Sequence, residues 1–233
     1  MGKDKDRNDR TGKLALLVTS VKQVDSKFVI SGITKDGRAV VNCNKRFMPG
    51  EFIEADGELH ETENIKEMSA ERVVLSDERK VKREIGKYID SNVKVLSSKP
   101  YIADAVMKRL SRRLDEAARK ILKAIFMHRP IIIRHHNDTD GVCSGLALYI
   151  AIGRAKNVKV IINKYPAYRM VEAQQDIDLL RSLDAEYLPP LLVIMDFGSS
   201  IDSFDTYDYV RKSGFEIVVV DHHPLDLKNM WIS

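Results

Sequence analysis

Three short apolar runs constrain this chain more than any other feature: Ile131-Ile132-Ile133, Leu191-Leu192-Val193-Ile194-Met195 and Val218-Val219-Val220. Each has the length of a buried strand, and acidic, imidazole, glycine or proline residues come within a few positions of its end. Strands buried on both faces belong to parallel sheets covered by helices on both sides. The intervening segments predict helices over 141–155, 170–183 and 204–213 and a further strand over 158–162. Such alternation predicts an α/β fold with a doubly wound parallel sheet.

The residues just past each run bear on function, because open α/β sheets bind ligands just outside the carboxyl ends of their strands. The first run leads through Arg134 and His135 into His136-Asn137-Asp138-Thr139-Asp140-Gly141. In extended backbone, alternate side chains share a side, so His136, Asp138 and Asp140 would face together and His135 away. Gly141 would then take a tight turn. The second run ends in Asp196-Phe197-Gly198, and the third in Asp221-His222-His223-Pro224. Any one of these aspartates is explained by helix capping. Capping explains poorly all of them together with the paired histidines. Packed carboxylates repel and resist ionisation unless a cation neutralises them. Oxygen and imidazole donors without thiolate suit manganese best, with magnesium or zinc as alternatives. Two such ions about 3.5–4 Å apart would clamp the attacking and leaving oxygens of a phosphoryl displacement.

Taken together, His136-x-Asp138-x-Asp140-Gly141, Asp196 and Asp221-His222-His223 resemble the first three motifs of the DHH phosphoesterase superfamily. Within it the chain is most similar to the archaeal RecJ-like single-strand exonucleases of the GINS-associated type. The resemblance covers roughly residue 130 to the C-terminus. It implies that His136, Asp138, Asp140, Asp196 and His222 ligate metal, with two Mn2+ ions expected and Mg2+ possible. It implies that Asp221 ligates or orients His222 and that His223 contacts the scissile phosphate. A fourth aspartate motif and a DHH-associated domain come later in that family, so a chain reaching Ser233 is expected to hold a truncated DHH domain. The implied activity is hydrolysis of single-stranded DNA or RNA in replication or repair. Hydrolysis of short oligonucleotides or cyclic dinucleotides is one alternative. A non-catalytic scaffold that binds GINS and the replicative helicase is another.

The N-terminal part reads differently. Residues 12–76 hold about five short alternating segments, with an Asp36-Gly37 hairpin signal. They predict a small barrel that resembles an OB-fold, either a nucleic-acid-binding module or a spacer or protein-docking unit. Lys45, Arg46 and Phe47 are its contact candidates, whereas Phe28 and Phe52 fit core positions. Residues 77–129 predict a basic helical connector. Asp77-Glu78 caps a first helix reaching to about Ile89. From Ile102, with Pro100 near the start, Val106, Leu110, Leu114, Ala117, Ala118, Ile121 and Ile125 form a helical stripe. Arg112 and Arg113 are the contact candidates there, since a basic block suits a polyanionic strand. Arg134, Lys164, Tyr168 and Arg169 are secondary candidates for phosphate contacts. Residues 1–11 read as a disordered, charged tail, and no apolar run suits a signal peptide or a membrane span. Cys43 and Cys143 form no metal or disulfide pattern, which fits a reducing, cytoplasmic location. No glycine-rich nucleotide motif is present. His60 and His128 read as ordinary structural residues.

Overall fold

The computed structural model of the chain describes residues 10–62, 65–95, 104–155, 158–183, 185–199 and 203–224. The expected tail lies almost wholly outside them, as do Pro100, Ile102 and Ser233. The chain divides into two compact units, residues 1–92 with 184–188, and residues 93–183 with 189–233. The expected connector is therefore shared between the two.

In the first unit, β1 (Arg10–Val24), β2 (Lys27–Ile33), β3 (Arg38–Cys43), β4 (Phe52–Glu61) and β5 (Ile65–Leu75) close into a barrel. All pairings are antiparallel except β3 with β5. This order is that of an OB-type barrel. The alternation is visible in β4, where Ile53, Ala55, Gly57 and Leu59 point inward. Strand β1 is longer than its apolar segment because it serves two neighbours. Residues up to Leu17 pair with β4, and those from Leu17 onward pair with β2, with a bulge at Thr19. That bulge turns the strand around the barrel corner. Helix α1 (Arg79–Asn92) buries Ile85 and Ile89 in this unit.

The loop between β3 and β4 corrects one expectation. Phe47 is only 2% exposed and lies in the barrel core, so its ring has no face to offer a base. Lys45, exposed, sits over that ring with Nζ 5.1 Å from its centre. Arg46 pairs with Glu186 of the two-residue strand β8 (Glu186–Tyr187), which adds to β1 and has no sequence signal of its own. Phe47→Leu should lower the stability of the barrel by about 1 kcal/mol through lost core volume. Urea unfolding of the full chain checks this, and an unchanged midpoint would show that the ring is not a core element.

In the second unit, β6 (Ile131–His135), β7 (Val160–Lys164), β9 (Leu191–Met195) and β10 (Glu216–Val220) form a parallel sheet in the order β10-β9-β6-β7. Helices α2 (Ala105–Phe126) and α3 (Thr139–Gly153) cover one face, through Ala124 and Ile152 on Ile131, Ile133, Val193 and Val218. Helices α4 (Met170–Arg181) and α5 (Phe204–Lys212) cover the other, through Ala173, Ile177, Tyr207 and Val210 on Ile132, Leu192, Ile194 and Ile217. Neighbouring β6 residues thus serve opposite cores, which is why the run is apolar throughout. Strand β6 leads to β7 on one side, and β9 leads to β10 on the other. The sheet therefore has its topological switch point between the carboxyl ends of β6 and β9. Among the described residues, no helix is long and apolar enough to cross a membrane.

Candidate metal centre

The first motif is built differently from its extended reading. Strand β6 stops at His135, and Asp138 is already the N-cap of α3. Its carboxylate accepts from the Gly141 N–H at 3.1 Å. Asp140 stands in the first helical turn, where a negative charge is favoured by the helix dipole. Gly141 is helical and makes no turn of its own. A Cβ there would meet the His136 carbonyl oxygen at 2.6 Å, so the helix start can fold back onto His136 only without a side chain. The His136 N–H donates to the Met195 carbonyl at 3.1 Å, which fastens this residue beside β9. His135 is buried and its Nδ1 lies 2.7 Å from the His136 carbonyl, away from the site.

Asp196 ends β9 with φ of 66°, in the left-handed region that few side chains adopt. Backbone held this way clusters at functional sites. Its N–H donates to the Val220 carbonyl at 2.8 Å, so β10 holds it in place. Its carboxylate is buried and faces the ends of β6 and β10. From β10, His222 brings Nε2 to 3.1 Å from Asp196 Oδ1 and 3.5 Å from Asp140 Oδ2. Asp221 serves another neighbour than expected. It does not orient His222. Its Oδ2 accepts from the Ser199 N–H at 3.0 Å, and its Oδ1 lies 2.7 Å from His223 Nδ1. Its second partner, Ser199, lies on a loop carrying no motif residue beyond Asp196 itself.

Two groups of ligand-type atoms result, His136 with Asp138 and Asp196, and Asp196 with His222 and His223, each within 4.8 Å. Asp196 belongs to both. His223 thus lies within ligand reach as well as in its expected place at the phosphate. Two buried polar atoms in the first group have no hydrogen-bond partner, His136 Nδ1 and Asp196 Oδ2. The former is 2.6 Å from Asp138 Oδ2 but without hydrogen-bond alignment. Atoms buried without partners cost about 1–3 kcal/mol each. A divalent cation would satisfy both, so the residues present fit one.

The electrostatics agree. Burial pushes the Asp196 carboxyl above the usual range, and the charges of Asp140 and Asp138 push it further. Desolvation also raises Asp138, but the His136 imidazole and the Gly141 amide outweigh it and hold the group at about 2. Burial opposes the Asp221 charge, but Ser199 and His223 more than offset it and lower its pKa. Asp221 in turn raises the pKa of His223.

The secondary candidates divide. Lys164 and Arg169 are exposed. Arg134 and Tyr168 are not available to a phosphate, because both are 2% exposed and bound to Asp176. The signal for this was a lone arginine inside an apolar strand, which requires a buried acid elsewhere. Arg112 and Arg113 are exposed on α2, Arg112 with Glu116 at 3.6 Å. Cys43 is buried and Cys143 exposed on α3.

Residues 130–231 match the DHH family, N-terminal domain. An uncharacterized protein of Methanocaldococcus jannaschii is 29% identical over 174 residues, which is 68% of this chain and 23% of that protein. A solved structure described as the DHH domain of a member of the s1p family of ribosomal proteins matches with TM-score 0.55 and 30% identity. The match covers 62% of this chain and 36% of that one. This chain therefore matches well under half the length of either protein. The segment from residue 130 to 231 is therefore similar to the DHH family, N-terminal domain.

Proposed function

We propose that the DHH-like domain of this chain hydrolyses phosphodiesters of single-stranded nucleic acid, using divalent cations of which Mn2+ is the best fit. The observation that carries the proposal is the pair of ligand groups sharing Asp196, whose Oδ2 is buried without a hydrogen-bond partner. His136, Asp138, Asp140, Asp196 and His222 would hold the cations. Bound there, they supply Lewis-acid neutralisation of phosphoryl charge and lower the pKa of water. The chain's own residues do the rest. Asp221 holds the His223 ring through Nδ1, which leaves Nε2 free to meet a phosphoryl oxygen. In the metal-free chain Asp221 raises the pKa of His223, and a charged ring there would suit charge developing on that oxygen.

Single strands are favoured over small anions by the exposed Lys108, Arg109, Arg112 and Arg113 of α2, in a segment without acids from Ala105 to Leu114. On the barrel, β4 and β5 expose Glu58, Glu67 and Glu71, which would repel a phosphate backbone. Lys45 and Arg46 on the β3–β4 loop are the contacts left on that unit. Because one structural neighbour carries a ribosomal-protein name, RNA belongs beside DNA in the test.

The test is degradation of end-labelled single-stranded DNA and RNA with added Mn2+, against the same reaction with chelator. Metal-dependent shortening is expected, and its absence with both substrates would overturn the proposal. His223→Gln should slow turnover by about 100-fold at saturating Mn2+. Equal turnover in that variant would remove His223 from the chemistry.

A further inference from the structure

Two residues before His136 lies a buried charged group that the proposed chemistry does not use. Arg134, at the fourth position of β6, is 2% exposed, and Asp176 of α4 is 1% exposed. Arg134 Nε donates to Asp176 Oδ2 at 3.1 Å, and Nη2 donates to Oδ1, so the pair is bidentate. The Tyr168 hydroxyl donates to Asp176 Oδ2 at 2.9 Å. The remaining arm, Nη1, donates to the Ile133 carbonyl at 3.1 Å, and the Tyr165 ring lies 5.6 Å from the guanidinium carbon. Burial, then the Asp176 charge, raises the Tyr168 pKa, which keeps its proton in place.

A buried ion pair is a poor device for stability, since apolar residues of similar volume often do as well. What a bidentate pair supplies is direction, because the planar fork fits the carboxylate in one arrangement. Here the direction is set one step from the metal centre. Ile132 and Arg134 fall on one side of β6 by strand alternation, and His136 follows one residue past the end of the strand. Ile132 packs with Tyr168, Ala173 and Ile177, and the His136 ring stands 6.1 Å from Phe197 of the same cluster. The strand ends at His135, and beyond it the His136 backbone is tied to β9 through its N–H on the Met195 carbonyl, which leaves the ring direction to side-chain packing.

We propose that the Arg134–Asp176–Tyr168 network is a positioning device that fixes the end of β6 against α4 and so aims His136 at the cation. The inference rests on reading this site as a metal centre. It makes Arg134 and Asp176 positioning residues, with no contact to substrate.

The experiment uses the full chain with Arg134→Met and Asp176→Leu combined, which removes both charges at similar volume. Unfolding temperature is measured by circular dichroism and cation affinity by calorimetric titration with manganese chloride. The double variant is expected to melt within a few degrees of the parent yet bind Mn2+ about 10–100-fold more weakly. Arg134→Lys, which keeps the charge but loses the fork, should fail to restore affinity. A folded double variant with parental Mn2+ affinity overturns the inference. So does a loss of affinity that merely tracks loss of stability across the variants. If the double variant does not fold, Arg134→Lys decides alone, with parental affinity counting against the inference and a tenfold or larger loss supporting it. A parent chain that binds no Mn2+ would overturn the metal-centre reading and this inference with it. Equal binding by parent and variants would overturn this inference alone.

Discussion

Asp196→Asn should abolish Mn2+-dependent hydrolysis, a loss of roughly 1000-fold or more, while raising the melting temperature of the metal-free chain. Both effects come from one geometry. Asp196 is the residue common to the two ligand groups, so loss of its charge weakens both at once. Without a cation the same charge is a liability. It is 6% exposed, one of its oxygens has no partner, and Asp138 and Asp140 lie near enough to raise its pKa along with burial. A carboxyl whose folded pKa is raised leaves stability intact at low pH and costs stability as pH rises through that pKa. The gain from asparagine is therefore present at neutral pH and fades as pH falls toward about 4. Asparagine also tolerates φ of 66°. Added Mn2+ should reverse the order of melting, because a cation that binds the folded parent stabilises it by mass action. Melting curves of both proteins with and without Mn2+, beside the labelled-strand assay, check the prediction. Parental hydrolysis in the variant, or no rise in the parent's melting temperature on adding Mn2+, would remove Asp196 from the centre.

The features that proved legible in the sequence were those set by local pattern. Strands β9 and β10 have the expected ends, because apolar runs buried on both faces stop where charge begins. The switch-point site could be placed from the three strand ends alone. His-x-Asp-x-Asp misled at one boundary because its period of two imitates a strand, while Asp138 with Gly141 three residues on is also a capping sequence. Capping won, since the helix start needs an acceptor for its free N–H groups. The barrel strands were visible as alternation, but the length of β1 was not, because it depends on a second neighbour. Phe47 looked exposed beside Lys45 and Arg46, and only closure of the barrel makes a pocket for it. The partner of Arg134 lies 42 residues away on another element, so no local spacing could pair them. Likewise nothing in the letters Met195-Asp196-Phe197 announces a left-handed backbone.

That backbone leads to the largest stability change expected from a single methyl group. Gly198→Ala should destabilise the chain by about 3 kcal/mol, and the cost should fall when Tyr207→Phe is added. Gly198 has φ of +103°, and a Cβ there would lie 1.8 Å from the Tyr207 hydroxyl oxygen and 3.1 Å from the adjoining ring carbon. Tyr207 is fully buried in the core under the α4–α5 face and cannot swing aside. Its hydroxyl oxygen has no aligned hydrogen-bond partner, so phenylalanine there should be close to neutral by itself. The double variant removes the worst contact but leaves the strained φ and the ring carbon, so rescue should be partial, about half of the loss. The loop at stake joins Asp196 to Ser199, whose N–H holds Asp221, which in turn holds His223. Gly198→Ala should therefore also lower turnover, and Tyr207→Phe should recover turnover and stability together. Urea unfolding of the parent, both single variants and the double variant measures the coupling. Strict additivity of the two changes would show that the methyl group and the hydroxyl do not meet, and that the loop bends elsewhere to make room.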